Sequence, residues 1–188
     1  MEQLWALRAI PQFAVCRPAD GSETFAAWLA VLSRRQPVGL VLSRQGVPTI
    51  DVPWDTVKAG VARGGYLVRH FADASALILA TGSEVNVGLR ASDLLISEGI
   101  RANVASLPCL EWFDEQDAEY RNTIVDPAIS VRVAVEAGSS QGWHRYVGAH
   151  GRIVGLDRFG ASAPGPQLFE KFGITGENVA ASVREALQ

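Results

Sequence analysis

Arg44 has the clearest claim to chemistry in this 188-residue chain. It follows the apolar run Val38-Gly39-Leu40-Val41-Leu42, which places it at the C-terminal end of a predicted buried strand. Packing gives little reason for a guanidinium there, whereas its planar fork suits the paired oxygens of a phosphate or carboxylate. A strand-end arginine also serves as a structural ion-pair partner, and position alone leaves both roles open. Thr81-Gly82-Ser83-Glu84 joins a predicted strand to a predicted helix, where backbone N–H groups can cradle a phosphate. No lysine follows as in a P-loop, Gly82 and Gly88 miss the dinucleotide spacing, and Glu84 would repel an anion. An ordinary turn with Ser83 as helix N-cap is therefore the favoured reading. Glu136 stands at another strand end, where α/β proteins place functional groups; it either caps the following turn or makes an interface contact. His70, His144 and His150 have no metal-ligand spacing and no accompanying carboxylates, which points to surface or structural roles. Cys16 and Cys109 have neither metal-ligand nor disulfide spacing and read as buried, reduced thiols.

The elements that must position these residues follow from periodicity. A short helical segment within residues 1–12 ends at Pro11, and Phe13-Ala14-Val15-Cys16 reads as a buried strand stopped by Pro18. Asp20 or Ser22 can cap a helix over residues 23–34, with Phe25, Trp28, Leu29 and Leu32 on its apolar stripe. The strand over 38–42 completes a β-α-β unit, which belongs to a parallel sheet. Two strands cannot cover both faces of a sheet, so this piece reads as incomplete, with the rest of its sheet either missing or supplied by another chain. Residues 46–58, with Pro48 and Pro53 and no clear period, read as a linker.

A second pattern starts at Gly64-Gly65-Tyr66-Leu67-Val68-Arg69. It runs through a strand at 76–80, a helix over 84–97 closed by Gly99, a strand at 102–107 and a polar helical stretch over 114–123. Strands at 130–135 and 152–156 follow, then helices over 166–172 and 177–187, the last capped by Thr175. This alternation predicts an α/β/α sandwich with a mostly parallel sheet. The division expected is 1–58 and 59–188.

Bulk properties narrow the class. Hydrophobic residues make up 48% and charged residues 20%, the balance of an ordinary globular protein with a packed core. The formal net charge is −3 and the basic residues are scattered, so no footprint for nucleic acid or an anionic membrane is present. No signal-peptide order is visible and the apolar runs are too short to span a bilayer, so a cytoplasmic location is expected.

Several segments together resemble transketolases. Leu7-Arg8-Ala9-Ile10-Pro11, Arg17-Pro18-Ala19-Asp20 and Leu42-Ser43-Arg44-Gln45 look like the late part of their pyrimidine-binding domain. Ala62-Arg63-Gly64-Gly65-Tyr66 looks like the entry to their C-terminal domain. Ala80-Thr81-Gly82-Ser83-Glu84-Val85, Val135-Glu136-Ala137-Gly138 and Phe159-Gly160-Ala161-Ser162-Ala163-Pro164 look like successive landmarks within it.

The resemblance implies a homodimeric enzyme that uses thiamine diphosphate and Mg to move a two-carbon ketol unit between sugar phosphates. It also implies a mixed five-stranded sheet, with one antiparallel strand, in the second part of the chain. By the same resemblance Arg44 binds the substrate phosphate, and no catalytic, cofactor-binding or metal-binding residue lies in these 188 residues. The Gly-Asp-Gly motif, the region of the activating glutamate and the active-site histidine pairs are absent. The chain alone is thus expected to bind no cofactor and to need the N-terminal cofactor-binding half, on the same or a separate chain. Two alternatives stand beside this: a non-catalytic assembly or regulatory module with the same fold, and part of a related ketol transferase such as dihydroxyacetone synthase.

Overall fold

The computed structural model describes residues 2–188. In the first unit, helix α1 (Gln3–Arg8) leads to strand β1 (Ala14–Cys16), helix α2 (Gly21–Ser33) and strand β2 (Val38–Leu40). β1 and β2 pair in parallel, Ala14 opposite Val38 and Cys16 opposite Leu40, as a two-stranded sheet. Asp20 caps α2 by accepting the Glu23 N–H at 2.8 Å.

The stripe expected to be buried on α2 faces the other way. Phe25, Trp28, Leu29 and Leu32 are exposed, Leu32 at 77%, while Glu23, Ala26, Ala27 and Ala30 are buried. Three alanines let the helix approach β1 and its neighbours closely, and large side chains on that face would hold it off. The expected linker over 46–58 is also only partly irregular. Helix α3 (Trp54–Ala62) begins straight after Pro53 and runs through residue 58. Val57 and Val61 are buried on its inner side, and Trp54 stacks on Phe25 with ring centroids 5.4 Å apart. At Gly60 an added Cβ would stand 2.4 Å from the Tyr66 ring, so only glycine lets α3 lie there.

The second unit contains β3 (Tyr66–Arg69), β4 (Ala76–Ala80), α4 (Glu84–Ile96), β5 (Ala102–Ser106), α5 (Leu110–Asp114) and α6 (Ala118–Ile124). It continues with β6 (Val131–Val135), α7 (His144–Val147), β7 (Arg152–Val154), α8 (Gly165–Phe172) and α9 (Gly176–Ala186). The five strands run in the order β3-β5-β4-β6-β7, with β3 antiparallel to β5 and the other pairs parallel.

Side chains alternate across this sheet. Ile78, Val104 and Val133 pack beneath α4 and α9 with Val85, Leu95, Val179 and Val183. Leu77, Leu79 and Ala105 pack on the opposite face with Phe113, Trp143 and Tyr146, under α5 to α7. The result is the expected three-layer α/β/α sandwich with a mostly parallel, mixed five-stranded sheet. Locally, the polar helix expected over 114–123 starts late: a separate short helix, α5, ends at Asp114, and α6 begins only at Ala118. Asp117 breaks the run and caps the second by accepting the Tyr120 N–H at 2.7 Å. Ser83 has helical dihedrals and makes no side-chain cap, whereas Thr175 caps α9 as its position suggests.

Candidate functional site

The two units meet at the carboxyl ends of their strands, where α/β folds place ligands. Arg17, just past β1, enters this junction. Its Nη1 donates to Glu136 Oε1 at 3.0 Å and its Nη2 to Glu84 Oε2 at 3.2 Å. Arg8 grips the same carboxylate with both terminal nitrogens, at 3.0 and 2.9 Å. Trp143 Nε1–H donates to Glu136 Oε2 at 2.8 Å. Glu136 is fully buried: burial alone would push its carboxyl up, yet Arg8 and Arg17 outweigh that and hold it below the ordinary glutamate value. Glu136 is therefore an interface residue, one of the two roles its position allowed.

The Thr81-Gly82-Ser83-Glu84 turn serves the same network. Gly82 has φ +62° and donates its N–H to the Arg17 carbonyl at 2.9 Å. A Cβ on Gly82 would come within 3.0 Å of the Arg17 guanidinium carbon. The turn thus shapes a seat for an arginine rather than a phosphate cradle.

A second buried carboxylate, Glu23, also crosses the junction. It accepts hydrogen bonds from Tyr66 Oη at 2.9 Å, Ser106 Oγ at 2.6 Å and the Ala19 N–H at 2.7 Å. Desolvation outweighs those donors and raises its carboxyl to about 7. Glu23 was missed in the sequence although Asp20-Gly21-Ser22-Glu23 has capping-box spacing. Arg8 and Arg17 were missed as site residues too; the signal for Arg17 was its place after a buried strand, the argument applied to Arg44.

Beside this network opens a cleft of about 580 Å³, between residues 41–45 of the first unit and Ser83, Ala137 and the 161–165 segment of the second. Arg44 lines it, exposed, with no hydrogen bond or ion pair to any described residue. β2 ends at Leu40, so Arg44 lies in a bend beyond the strand rather than at its last residue. Ser43 and Gln45 flank it on the same wall. The three histidines are exposed and distant in sequence from this wall. Among the described residues, no group of three or more His, Cys, Asp or Glu side chains could hold a metal ion. The cleft's own carboxylate, Glu84, is committed to Arg17 and to the Ala137 N–H at 3.2 Å. With Glu84 so engaged, the cleft offers Mg no free carboxylate.

A family model of the transketolase-like C-terminal domain matches residues 64–175, and one of the transketolase pyrimidine-binding domain matches residues 1–49. The chain belongs to the transketolase family. Curated transketolases similar to it include that of Mycobacterium tuberculosis, 47% identical over all of this chain and 28% of its own length. That of Halalkalibacterium halodurans is 45% identical, over 28% of its length. Among solved structures, a Pichia stipitis transketolase in complex with sedoheptulose 7-phosphate superposes with TM-score 0.90 and 35% identity, covering the whole chain and 27% of the other. A split-gene transketolase described as an inactive β4 tetramer superposes with TM-score 0.79 and 25% identity, over 99% of this chain and 61% of the other. The chain thus spans little more than a quarter of the curated transketolases it matches. No helix among the described residues is long and apolar enough to cross a membrane.

Proposed function

We propose that these 188 residues form the C-terminal portion of an enzyme that transfers a two-carbon ketol unit between sugar phosphates, and that Arg44 receives the substrate's phosphate. One observation carries the reading: among the described residues, Arg17 of this cleft is paired with two carboxylates, whereas Arg44 presents an uncommitted guanidinium to the cavity. A phosphate would take charge-assisted, bidentate hydrogen bonds from that fork, with Ser43 and Gln45 as neutral neighbours.

Thiamine diphosphate and Mg are held by the cofactor-binding half, on the same or a separate chain, and supply the covalent chemistry there. The contribution of this chain is to position the sugar phosphate's charged end. The completing half also buries the exposed apolar side of α2, where Phe25 and Trp28 stand open. The working enzyme is a cytoplasmic homodimer. Mixing this chain with a transketolase cofactor-binding half should generate thiamine-diphosphate-dependent ketol transfer that neither part shows alone. Turnover by the 188-residue chain unaided, or a stable complex with no activity, would overturn the proposal. In the second case a non-catalytic assembly role stands instead, which the inactive tetramer of the split-gene relative favours.

A further inference from the structure

On the face of the sheet covered by α5 to α7, three arginines gather where the ketol-transfer reading needs none. Arg121 of α6, Arg132 near the start of β6 and Arg145 of α7 line a recess of about 270 Å³. Phe113 and Val125 supply apolar walls and Asn122 adds an amide. None of its lining residues belongs to the cleft of Arg44.

The three guanidiniums are held differently. Arg132 is fixed by backbone carbonyls: its Nε donates to Ile129 O at 3.0 Å and its Nη2 to Asp126 O at 2.9 Å. Those carbonyls orient its charge without neutralising it. Arg145 pairs with Asp114 at 2.9 Å, and Asp114 also accepts the Tyr146 hydroxyl at 3.0 Å. The Arg121 side chain makes no hydrogen bond to any described residue, and its Nε is buried. The other nearby carboxylate, Asp126, turns an oxygen to the Ala128 N–H at 2.8 Å.

Among the lining residues, three positive charges therefore stand against one negative charge, that of Asp114. Like charges crowded beside apolar walls cost free energy unless an anion joins them. A buried guanidinium nitrogen without an acceptor adds to that cost. Both deficits are met by one dianion with several acceptor oxygens.

We propose that this recess is an anion site for the phosphate group of a small phosphomonoester, with Arg121 and Arg145 donating to its oxygens and Arg132 lending a fixed charge. A phosphomonoester carries nearly two negative charges at neutral pH, which matches the surplus. The volume admits the phosphate and a short carbon chain and lies below the usual range for larger ligands.

The test is titration of the isotopically labelled 188-residue chain at constant ionic strength with inorganic phosphate, glycerol 3-phosphate and, as control, glycerol. Saturable shifts around Arg121, Asn122 and Arg145, with Kd about 1 mM or tighter, are expected for both phosphates and none for glycerol. Equal affinity identifies the free anion as a sufficient ligand, whereas tighter binding of the ester identifies the organic phosphate as the better one. Arg121→Ala should weaken binding about tenfold or more, from the loss of charge-assisted bonds, and Arg121→Lys should restore part of it. Because the Arg121 side chain makes no hydrogen bond to any described residue, its variant should keep the parent circular-dichroism spectrum; Arg145→Gln provides a second variant on the exposed rim. Arg44→Ala should leave these shifts unchanged. Absence of saturation, equal binding of glycerol, or retention of affinity in both arginine variants would overturn the site. Loss of the shifts in Arg44→Ala would assign the phosphate to the other cleft and equally overturn it.

Discussion

The junction around Arg17 and the wall around Arg44 share one cleft but treat a guanidinium in opposite ways. Arg17 is only 11% exposed in its side chain and is divided between Glu84 and Glu136, while Arg8 closes the other side of Glu136. Arg44 stands in solvent without a partner among the described residues. The first arrangement is complete in itself: each charge has an opposite charge, and an added phosphate would have to break a buried ion pair. The second is complete only when something anionic arrives. Charge at strand ends thus becomes structural where the fold brings a carboxylate to it, and remains available for binding where the facing segment, here 161–165, brings none.

The sharpest way to break the comparison is to unbalance the junction. Glu136→Gln keeps the size but leaves Arg8 and Arg17 facing each other, and should destabilise the chain by about 3–5 kcal/mol in urea unfolding, the usual cost of orphaning a buried charge. A loss below about 1 kcal/mol would put the junction on a par with surface ion pairs and erase the contrast. Glu23 tests the same region through pH. Its folded value is raised, to about 7, above the ordinary glutamate value, so its contribution is fully present below about 4.5 and is lost as pH rises towards 7. Stability relative to Glu23→Gln should fall by about 3 kcal/mol across that window; a difference independent of pH would mean that Glu23 stays ionised throughout.

Arg44 should behave in the opposite sense. In the reconstituted enzyme, Arg44→Ala should lower kcat/KM for a phosphorylated donor about tenfold to a few hundredfold, the equivalent of about 1.5–3 kcal/mol, and leave a non-phosphorylated donor almost unchanged. Equal losses for both donors would make Arg44 a structural residue. The smallest effect expected is on folding: Arg44→Ala should shift stability by no more than about 0.5 kcal/mol, measured by the same urea titration.

Most of the second unit was legible because its central strands, β4 and β5, are buried on both faces. Runs such as Ala76-Leu77-Ile78-Leu79-Ala80 then stand out as uninterrupted apolar segments between turn residues. The first unit was harder to read for the same physical reason that it is unusual. α2 buries its small residues and exposes its large ones, so apolar size pointed to the wrong face. α3 was hidden by Pro53, which stands at its entrance rather than breaking it. At the site, the type and position of Arg44 singled it out but left an ion pair and a phosphate contact equally open; its freedom from partners among the described residues is a property of three-dimensional neighbours that no local pattern encodes. The Arg8–Glu136 pair joins residues 128 positions apart, beyond the reach of periodicity or spacing.

Cys16 and Cys109 face one another in an isolated antiparallel bridge across the junction, both with no exposed surface. Burial is the first cause that pushes the Cys16 thiol up to about 12, and it raises Cys109 as well. Neither thiolate is accessible while the two units are closed, and one sulfur lies on each side of the seam. A thiol reagent can therefore label them only during excursions in which the seam parts. Their labelling rate is a built-in clock for that opening, and the ratio of native to unfolded labelling rates reads the fraction of time the units spend apart.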